Sequence, residues 1–293
     1  MKEEKNNIAI LRLGALGDVL CSLSLHREIK EKYGELYYYT HSSTIKALGP
    51  FIKEYGLVDD LIDCETSLLD TNNHNYHKLI AYPISKGYPF KIPMQNHLKR
   101  YMERELKIDK KYDFFLQSKP INFHPWRQGK KFITIQTKCG WSRYKEWPIT
   151  KWEELIKIIK KNSALKIHQI GAANDPVPKG VDLKFDGFST CVNEQCWAEA
   201  HIGLDSIFNH TSDILWSHKA KRTPAVIIFG STCPTGFGYE GNENIFLDKS
   251  CQPCYKENIE IVNALNRSSC NNGHCCMMEI TPQMVWERLE KIL

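Results

Sequence analysis

Ile8-Ala-Ile-Leu-Arg-Leu-Gly14-Ala-Leu-Gly17-Asp18-Val-Leu is the stretch that decides the fold. A short apolar run reaches a glycine turn, and a helical pattern follows from about Asp18 to Lys32. Leu20, Leu23, Leu25 and Ile29 are its candidate core positions. Strand, glycine turn and helix in that order open a βαβ unit. The glycines let the backbone turn sharply between strand and helix. They set Asp18 at the start of the helix, on the sheet edge where ligands bind in α/β folds. The plain alternative is that Asp18 caps the helix, a favoured place for Asp.

The rhythm continues outward. Leu36–Thr40 reads as a strand, Ile45–Tyr55 as a helix and Leu57–Ile62 as a strand. Asp70–His77 is polar and loop-like, His97–Leu106 is helical, and Tyr112–Leu116 is extended. Pro120, Pro125 and Gly129 mark a linker. The pattern then restarts with a strand at Phe132–Gln136, a helix at Lys151–Lys161 and a strand at Leu165–Ile170. Val181–Phe185 is extended, and Cys196–Leu204 leads into a helix from Ser206 to about Ser217. Ala225–Phe229 is a buried type of strand, and Pro282–Ile292 is a helix. Strands alternating with helices give parallel sheets, and two such runs give two doubly wound domains. The expected division is 1–125 and 126–293.

Composition fits this reading. Of 293 residues, 42% are hydrophobic and 25% charged, enough apolar surface to build a core. A net charge of +5 suits a small anionic ligand and lacks the dense basic stripe of a nucleic-acid binder. Lys157, Lys160 and Lys161, and Lys219, Lys221 and Arg222, read as solvated faces. No apolar run is long enough to span a bilayer. Arg12 and Asp18 interrupt what would be a signal-peptide core. A cytoplasmic protein is expected, with at most peripheral contact at the inner membrane.

Three further motifs carry chemistry. Thr137-Lys-Cys-Gly-Trp-Ser-Arg-Tyr-Lys145-Glu-Trp147-Pro148 follows a strand and precedes a helix. Its hydroxyls, amides and cations suit a diphosphate, with Trp147 a core residue. Gly203-Leu-Asp205-Ser206-Ile-Phe-Asn-His210 opens a later helix, and Gly230-Ser231-Thr232 closes the next strand. Ser206 and a helix N-terminus can hold a phosphate, and Asp205 and His210 can meet ribose or sugar. The third is Cys251-x2-Cys254-x15-Cys270-x5-Cys276, from a chain with eleven cysteines. Two pairs of thiolates make a tetrahedral site for zinc or iron, and Cys275 or His274 can replace Cys276. The segment 250–278 has few large apolar residues, so a metal would supply stability that burial cannot.

In their order the motifs resemble glycosyltransferase family 9, the ADP-heptose:lipopolysaccharide heptosyltransferases and their relatives. The match runs through Leu13–Asp18, Lys145–Pro148, Asp205–His210 and Phe229–Thr232. The resemblance implies a GT-B fold, two Rossmann-like domains facing across a cleft, with a C-terminal cysteine-rich metal finger. It implies an acceptor side near Gly14 and Gly17 and a nucleotide-sugar side in the C-terminal half. Asp18 would be the general base. Thr137, Lys145, Asp205, Ser206, His210, Ser231 and Thr232 would hold the donor, with Asp175 the candidate for the ribose. No catalytic metal is expected, since cations and a helix dipole can stabilise the departing diphosphate. The finger, with Cys276 preferred as its fourth ligand, would hold one structural metal and serve assembly of a homo-oligomer.

The expected activity is transfer of a heptose from ADP-heptose to a glycan, lipopolysaccharide or protein acceptor. A nucleotide-dependent oxidoreductase is the competing enzyme class. It is disfavoured because GxGxxG with a following acidic residue is absent. A non-catalytic module gripping a partner through its finger is the third reading, and nucleic acid is not an expected partner.

Overall fold

The computed structural model describes residues 7–64, 78–81, 103–108, 116–117, 131–140, 142–216, 222–254, 270 and 272–293. The chain divides into two units, Met1–Phe114 and Phe115–Leu293.

The N-terminal unit is built on β1 (Ile8–Leu11), β2 (Leu36–Thr40), β3 (Asp60–Asp63) and β4 (Lys78–Ala81). They pair in parallel in the order β3-β2-β1-β4. Ile8, Ala9 and Ile10 are all fully buried, as expected of a parallel strand covered on both faces. The helical pattern after the glycine turn is two helices, α1 (Leu16–Ser22) and α2 (His26–Tyr33), where one continuous helix was expected. Local turns break it, with Ser24 N–H donating to Cys21 and His26 N–H to Leu23. The Ser22 hydroxyl turns back to the Val19 carbonyl at 2.7 Å and accepts from the buried Tyr38 hydroxyl at 2.5 Å. That local bond competes with helix continuation. α3 (Ser42–Glu54) then leads to β3.

The C-terminal unit has β5 (Leu116–Gln117), β6 (Phe132–Ile135), α4 (Ile149–Asn162), β7 (Lys166–Gly171), β8 (Leu183–Asp186), α5 (Phe188–Trp197) and β9 (His201–Leu204). There follow α6 (Ile207–Ile214), β10 (Leu215–Trp216), β11 (Ala225–Ile228), α7 (Pro234–Phe237), β12 (Glu243–Ile245), α8 (Cys275–Met278) and α9 (Pro282–Ile292). β5 and β10 form a separate pair. The six-stranded sheet is parallel throughout, in the order β12-β11-β9-β6-β7-β8. Taken in sequence, the strands run outward one way from β6 and then the other way from β9. The order therefore reverses between β6 and β9, and a crevice opens at their carboxyl ends, the binding place of doubly wound sheets.

Helix α4 buries Trp152, Leu155, Ile156 and Ile159, one stripe at helical spacing. It packs with Val285, Trp286 and Leu289 of α9 over Ile133, Ile135, Ile202, Val226 and Ile228. Thr281 caps α9 by accepting from the Met284 amide at 3.2 Å. Trp147 is buried in this core, as expected, and its indole N–H donates to the Ile280 carbonyl at 3.1 Å.

Elsewhere the structure adds or corrects elements. α5 and β9 occupy 188–204, where only a lead into a helix was read. The α5 sequence is weakly apolar, and β9 carries a buried polar His201 that disguises it. β12 was also missed, being three residues with two polar ones. Of the expected 97–106 helix, residues 103–106 are helical and the others lie outside the described residues. So do the 70–77 loop, most of the 112–116 strand, the 120–129 linker and residues 255–269 of the finger. Among the described residues no helix is long and apolar enough to cross a membrane.

His201 makes a pH prediction. Its ring is completely buried on β9, 3.0 Å from the Thr134 hydroxyl, and a methyl on Gly203 would stand 2.4 Å from its Nε2. Burial pulls its pKa from 6.5 to about 3, the Thr134 contact working weakly against this. Burial likewise takes His26 to about 4. Between those values and 6.5 the unfolded chain binds protons that the folded chain refuses, so stability falls as pH drops through the window. Asp213, raised by burial to about 6, has the opposite sign between 3.8 and that value. Two histidines against one carboxylate leave a net loss on acidification. His201→Asn, which can keep the Thr134 bond without titrating, should flatten the dependence of denaturant midpoint on pH between 4 and 6. An unchanged slope would refute it.

Candidate functional site at the switch point of the C-terminal sheet

The crevice between β6 and β9 collects most of the residues singled out in the sequence. Thr137 leaves the end of β6, and Asp205-Ser206 leaves the end of β9. Between them comes the loop 137–148, which closes on itself. Glu146 accepts from the Cys139 amide at 3.3 Å and pairs with the Lys138 ammonium. A one-turn 3-10 helix, Arg143–Lys145, is started by the Ser142 hydroxyl, which accepts from the Tyr144 amide at 3.2 Å.

That turn delivers Lys145 to Asp205. The ammonium donates to Asp205 Oδ2 at 2.7 Å and to the Asp205 carbonyl at 3.2 Å. The two side chains are 9% and 2% exposed, so this is a buried ion pair. The Phe237 ring lies 5.5 Å from the ammonium, a cation–π contact in a water-poor place. The pair joins the loop after one central strand to the loop after the other.

Hydroxyls and amides surround it. The Thr137 hydroxyl accepts from Gln169 Nε2 at 3.0 Å. Ser206 occupies the cap position of α6, but its hydroxyl donates to Gln136 Oε1 at 2.5 Å instead of to the helix. Ser231 and Thr232, buried at the exit of β11, have hydroxyl oxygens with no partner among the described residues. His210 is buried on α6 and is hydrogen-bonded to the Tyr239 hydroxyl at 2.8 Å. Asp175 stands at the end of β7, where its carboxylate accepts from the Ala172 amide at 2.8 Å and closes its own turn. Gln136, Gln169 and Tyr239 were missed. A buried glutamine within the apolar run of β7 was the available signal for Gln169.

Asp18 belongs to the N-terminal unit. It lies in the first turn of α1, directly after β1, at that sheet's own reversal between β1 and β4. Its carboxylate accepts from the Ala15 amide at 3.2 Å and lies 3.6 Å from the Arg12 guanidinium. The side chain keeps 25% of its exposure. Gly14 packs closely here, since a methyl would come 3.0 Å from Asp18 Oδ2 and displace that side chain slightly. Gly17 is buried in α1. The capping role weighed for Asp18 is present in the geometry.

The cysteines gather without forming a metal cage. Among the described residues no group of three or more His, Cys, Asp or Glu side chains stands where it could hold a metal ion. Cys251, Cys254, Cys270 and Cys275 lie near one another. Cys276, the preferred fourth ligand, is buried in the apolar core with Met277 and Ile280 and also lies near those four thiols. Its neighbour Cys275 is half-buried. His274 is engaged elsewhere, with its ring Nε2 3.0 Å from the Tyr144 carbonyl. Burial pushes the Cys254 thiol up to about 11 and Cys276 up to about 12.

No family model and no curated protein matches the sequence. Solved structures do match in fold. A glycosyl transferase family 9 structure from Veillonella parvula is 13% identical, with a TM-score of 0.71 over 100% of this chain and 98% of that one. The iron-containing dodecameric glycosyltransferase TibC from enterotoxigenic E. coli is 17% identical, with a TM-score of 0.68 over 99% of this chain and 76% of that one. The E. coli heptosyltransferase WaaC with ADP is 11% identical, with a TM-score of 0.65 over 98% and 100%. The chain thus has the GT-B-like two-domain α/β fold of these enzymes.

The buried pair yields a stability test. Removing one partner strands a charge away from water, whereas replacing both with apolar groups does not. Asp205→Ala should cost about 3–5 kcal/mol, and the double variant Lys145→Met/Asp205→Leu far less. Urea unfolding of the three proteins decides this. Equal losses in the single and double variants would contradict it.

Proposed function

We propose that this chain is a family 9-type glycosyltransferase that moves a sugar, a heptose, from an ADP-heptose donor to a glycan, lipopolysaccharide or protein acceptor. The observation that carries this is the buried Lys145–Asp205 pair at the switch point of a doubly wound sheet. A buried ion pair contributes little net stability, so its retention is better explained by function. Its place is where such sheets bind nucleotides. The fold likeness to nucleotide-sugar enzymes supports the same reading.

In this reading the donor diphosphate lies against the loop 137–145, the start of α6 and the turn after β11. Lys145 supplies positive charge, already oriented by Asp205. Thr137, Ser206, Ser231 and Thr232 supply hydroxyls, and the amide end of α6 favours an anion. His210 and Asp205 border the transferred sugar, and Asp175 would reach the ribose by giving up its turn-closing bond. The acceptor hydroxyl attacks the anomeric carbon while the bond to the diphosphate oxygen breaks. The acceptor proton passes to the Asp18 carboxylate, and the nucleoside diphosphate leaves with the bonding electrons. Donors fixed beforehand around the developing charge lower the barrier without reorganising.

We further propose that Cys251, Cys254, Cys270 and Cys276 close on one structural zinc or iron ion, with Cys275 as the alternative to Cys276. The support is the nearness of these thiols to one another. When bound, the ion would hold the thiolates together and leave the transfer chemistry to the side chains named above. The segment would also form the contact of a homo-oligomer.

Four measurements test these readings. Thermal shift with ADP-, GDP-, UDP- and dTDP-sugars should select an ADP-sugar, since a ligand of the folded state raises the melting temperature. Lys145→Ala should weaken ADP binding by roughly 10- to 100-fold, the worth of a charged hydrogen bond, and more so at low salt. Asp18→Asn should lower turnover by about 10²–10⁴-fold with donor affinity preserved. Near-normal turnover in that variant would remove Asp18 as the base. For the thiols, elemental analysis of freshly purified protein should give one metal per chain. Cys276→Ser should lower that content and Cys275→Ser should not, and the reverse result makes Cys275 the ligand.

A further inference from the structure

The thiol-bearing tail is fastened to the same two loops that line the switch point. His274 Nε2–H donates to the Tyr144 carbonyl at 3.0 Å, immediately before Lys145. Its ring stands edge-on to the Tyr144 ring, with centroids 5.4 Å apart. Gln252, completely buried, donates from Nε2 to the Gly230 carbonyl at 2.5 Å. The Cys254 amide donates to the Ser231 carbonyl at 2.9 Å. All three segments converge on Gly230. A methyl there would lie 2.5 Å from the Tyr144 carbonyl oxygen and 2.8 Å from Met277 Sδ. The Lys145 loop, the exit of β11 and the tail are thus packed with no room for one more carbon.

The fastening residues are chain neighbours of the thiols. Gln252 follows Cys251, and His274 precedes Cys275. Cys251 and Cys275 lie near each other. His274 has φ 57° and ψ 32°, a left-handed conformation uncommon for a residue with a side chain. Such a conformation persists where its surroundings over-determine it. Here the ring is held on Tyr144 by its hydrogen bond and its edge-on contact.

We propose that His274 and Gln252 are positioning residues for the donor diphosphate. Through them the packing of the tail sets the placement of Lys145 and of the Ser231–Thr232 turn. The inference rests on the donor site proposed above, and it makes the tail a part of that site's architecture in addition to any role in assembly. The coupling needs no long pathway. One hydrogen bond separates a thiol-bearing segment from the backbone of each donor loop. Loss of the His274 bond releases the Tyr144 carbonyl, and the one-turn helix that aims Lys145 at Asp205 loses its outer support.

The test uses the full chain, ADP as probe and two readouts. Titration calorimetry measures ADP affinity, and hydrogen exchange measures opening of the Lys145 and Glu146 amides, which donate to Ser142 and Arg143. His274→Ala should weaken ADP binding and speed that exchange by roughly 3- to 10-fold each, as loss of one net hydrogen bond implies. His274→Gln, whose side-chain amide can donate to the same carbonyl, should restore both. His274→Ala should leave exchange in Ile149–Asn162 unchanged. Unaltered exchange and affinity in His274→Ala would overturn the proposal. So would equal losses in His274→Ala and His274→Gln with a lowered melting temperature, the mark of a merely structural residue. Lys145→Ala separates the two readings. If it leaves ADP affinity unchanged, the donor site is wrong, and the proposal that His274 positions a diphosphate falls with it. If Lys145→Ala weakens binding and His274→Ala does not, the donor site stands and the coupling alone fails.

Discussion

An ammonium group removed from water needs a partner within hydrogen-bonding distance, and Lys145 has Asp205 at 2.7 Å. The C-terminal unit is arranged to make that meeting happen. Strand β6 ends in the loop that carries the lysine, β9 ends in the aspartate, and the two strands are neighbours because the sheet reverses its order between them. Glu146 closes the loop on itself, Trp147 pins its exit to Ile280, and α4 then runs back over the sheet. If the strand order did not reverse there, a helix crossing would cover the place where the pair now sits.

The N-terminal unit applies the same plan on a smaller scale. Its sheet also reverses beside the first strand, and a charged pair again stands at the carboxyl end. The difference is exposure. Arg12 is buried, but Asp18 keeps a quarter of its surface, and its carboxylate is held by one amide and one guanidinium. Two copies of one architecture therefore present charged pairs of different exposure, because burial differs by a few side chains.

Much of the fold was legible from periodicity, because a βαβ chain writes its layers into the order of apolar runs. Asp18, Lys145, Asp205 and Ser206 could be found from glycine turns and strand ends, since a doubly wound sheet presents its loops at one edge. The strand at 201–204 was not legible, because a histidine buried against Gly203 looks polar in the sequence. Nor were Gln136 and Gln169, whose partners are 70 and 32 residues away. The sequence by itself determined the alternation of strands and helices, the two runs, and the residue types brought to the strand ends, because these depend on local propensity and spacing. Only the tertiary structure decided that Lys145 is paired with Asp205, that Gln252 meets the Gly230 carbonyl, and that His274 grips the loop of Lys145. Each of those depends on which distant backbone segments share a buried space, and a polar group in such a space takes whichever partner the packing brings within reach.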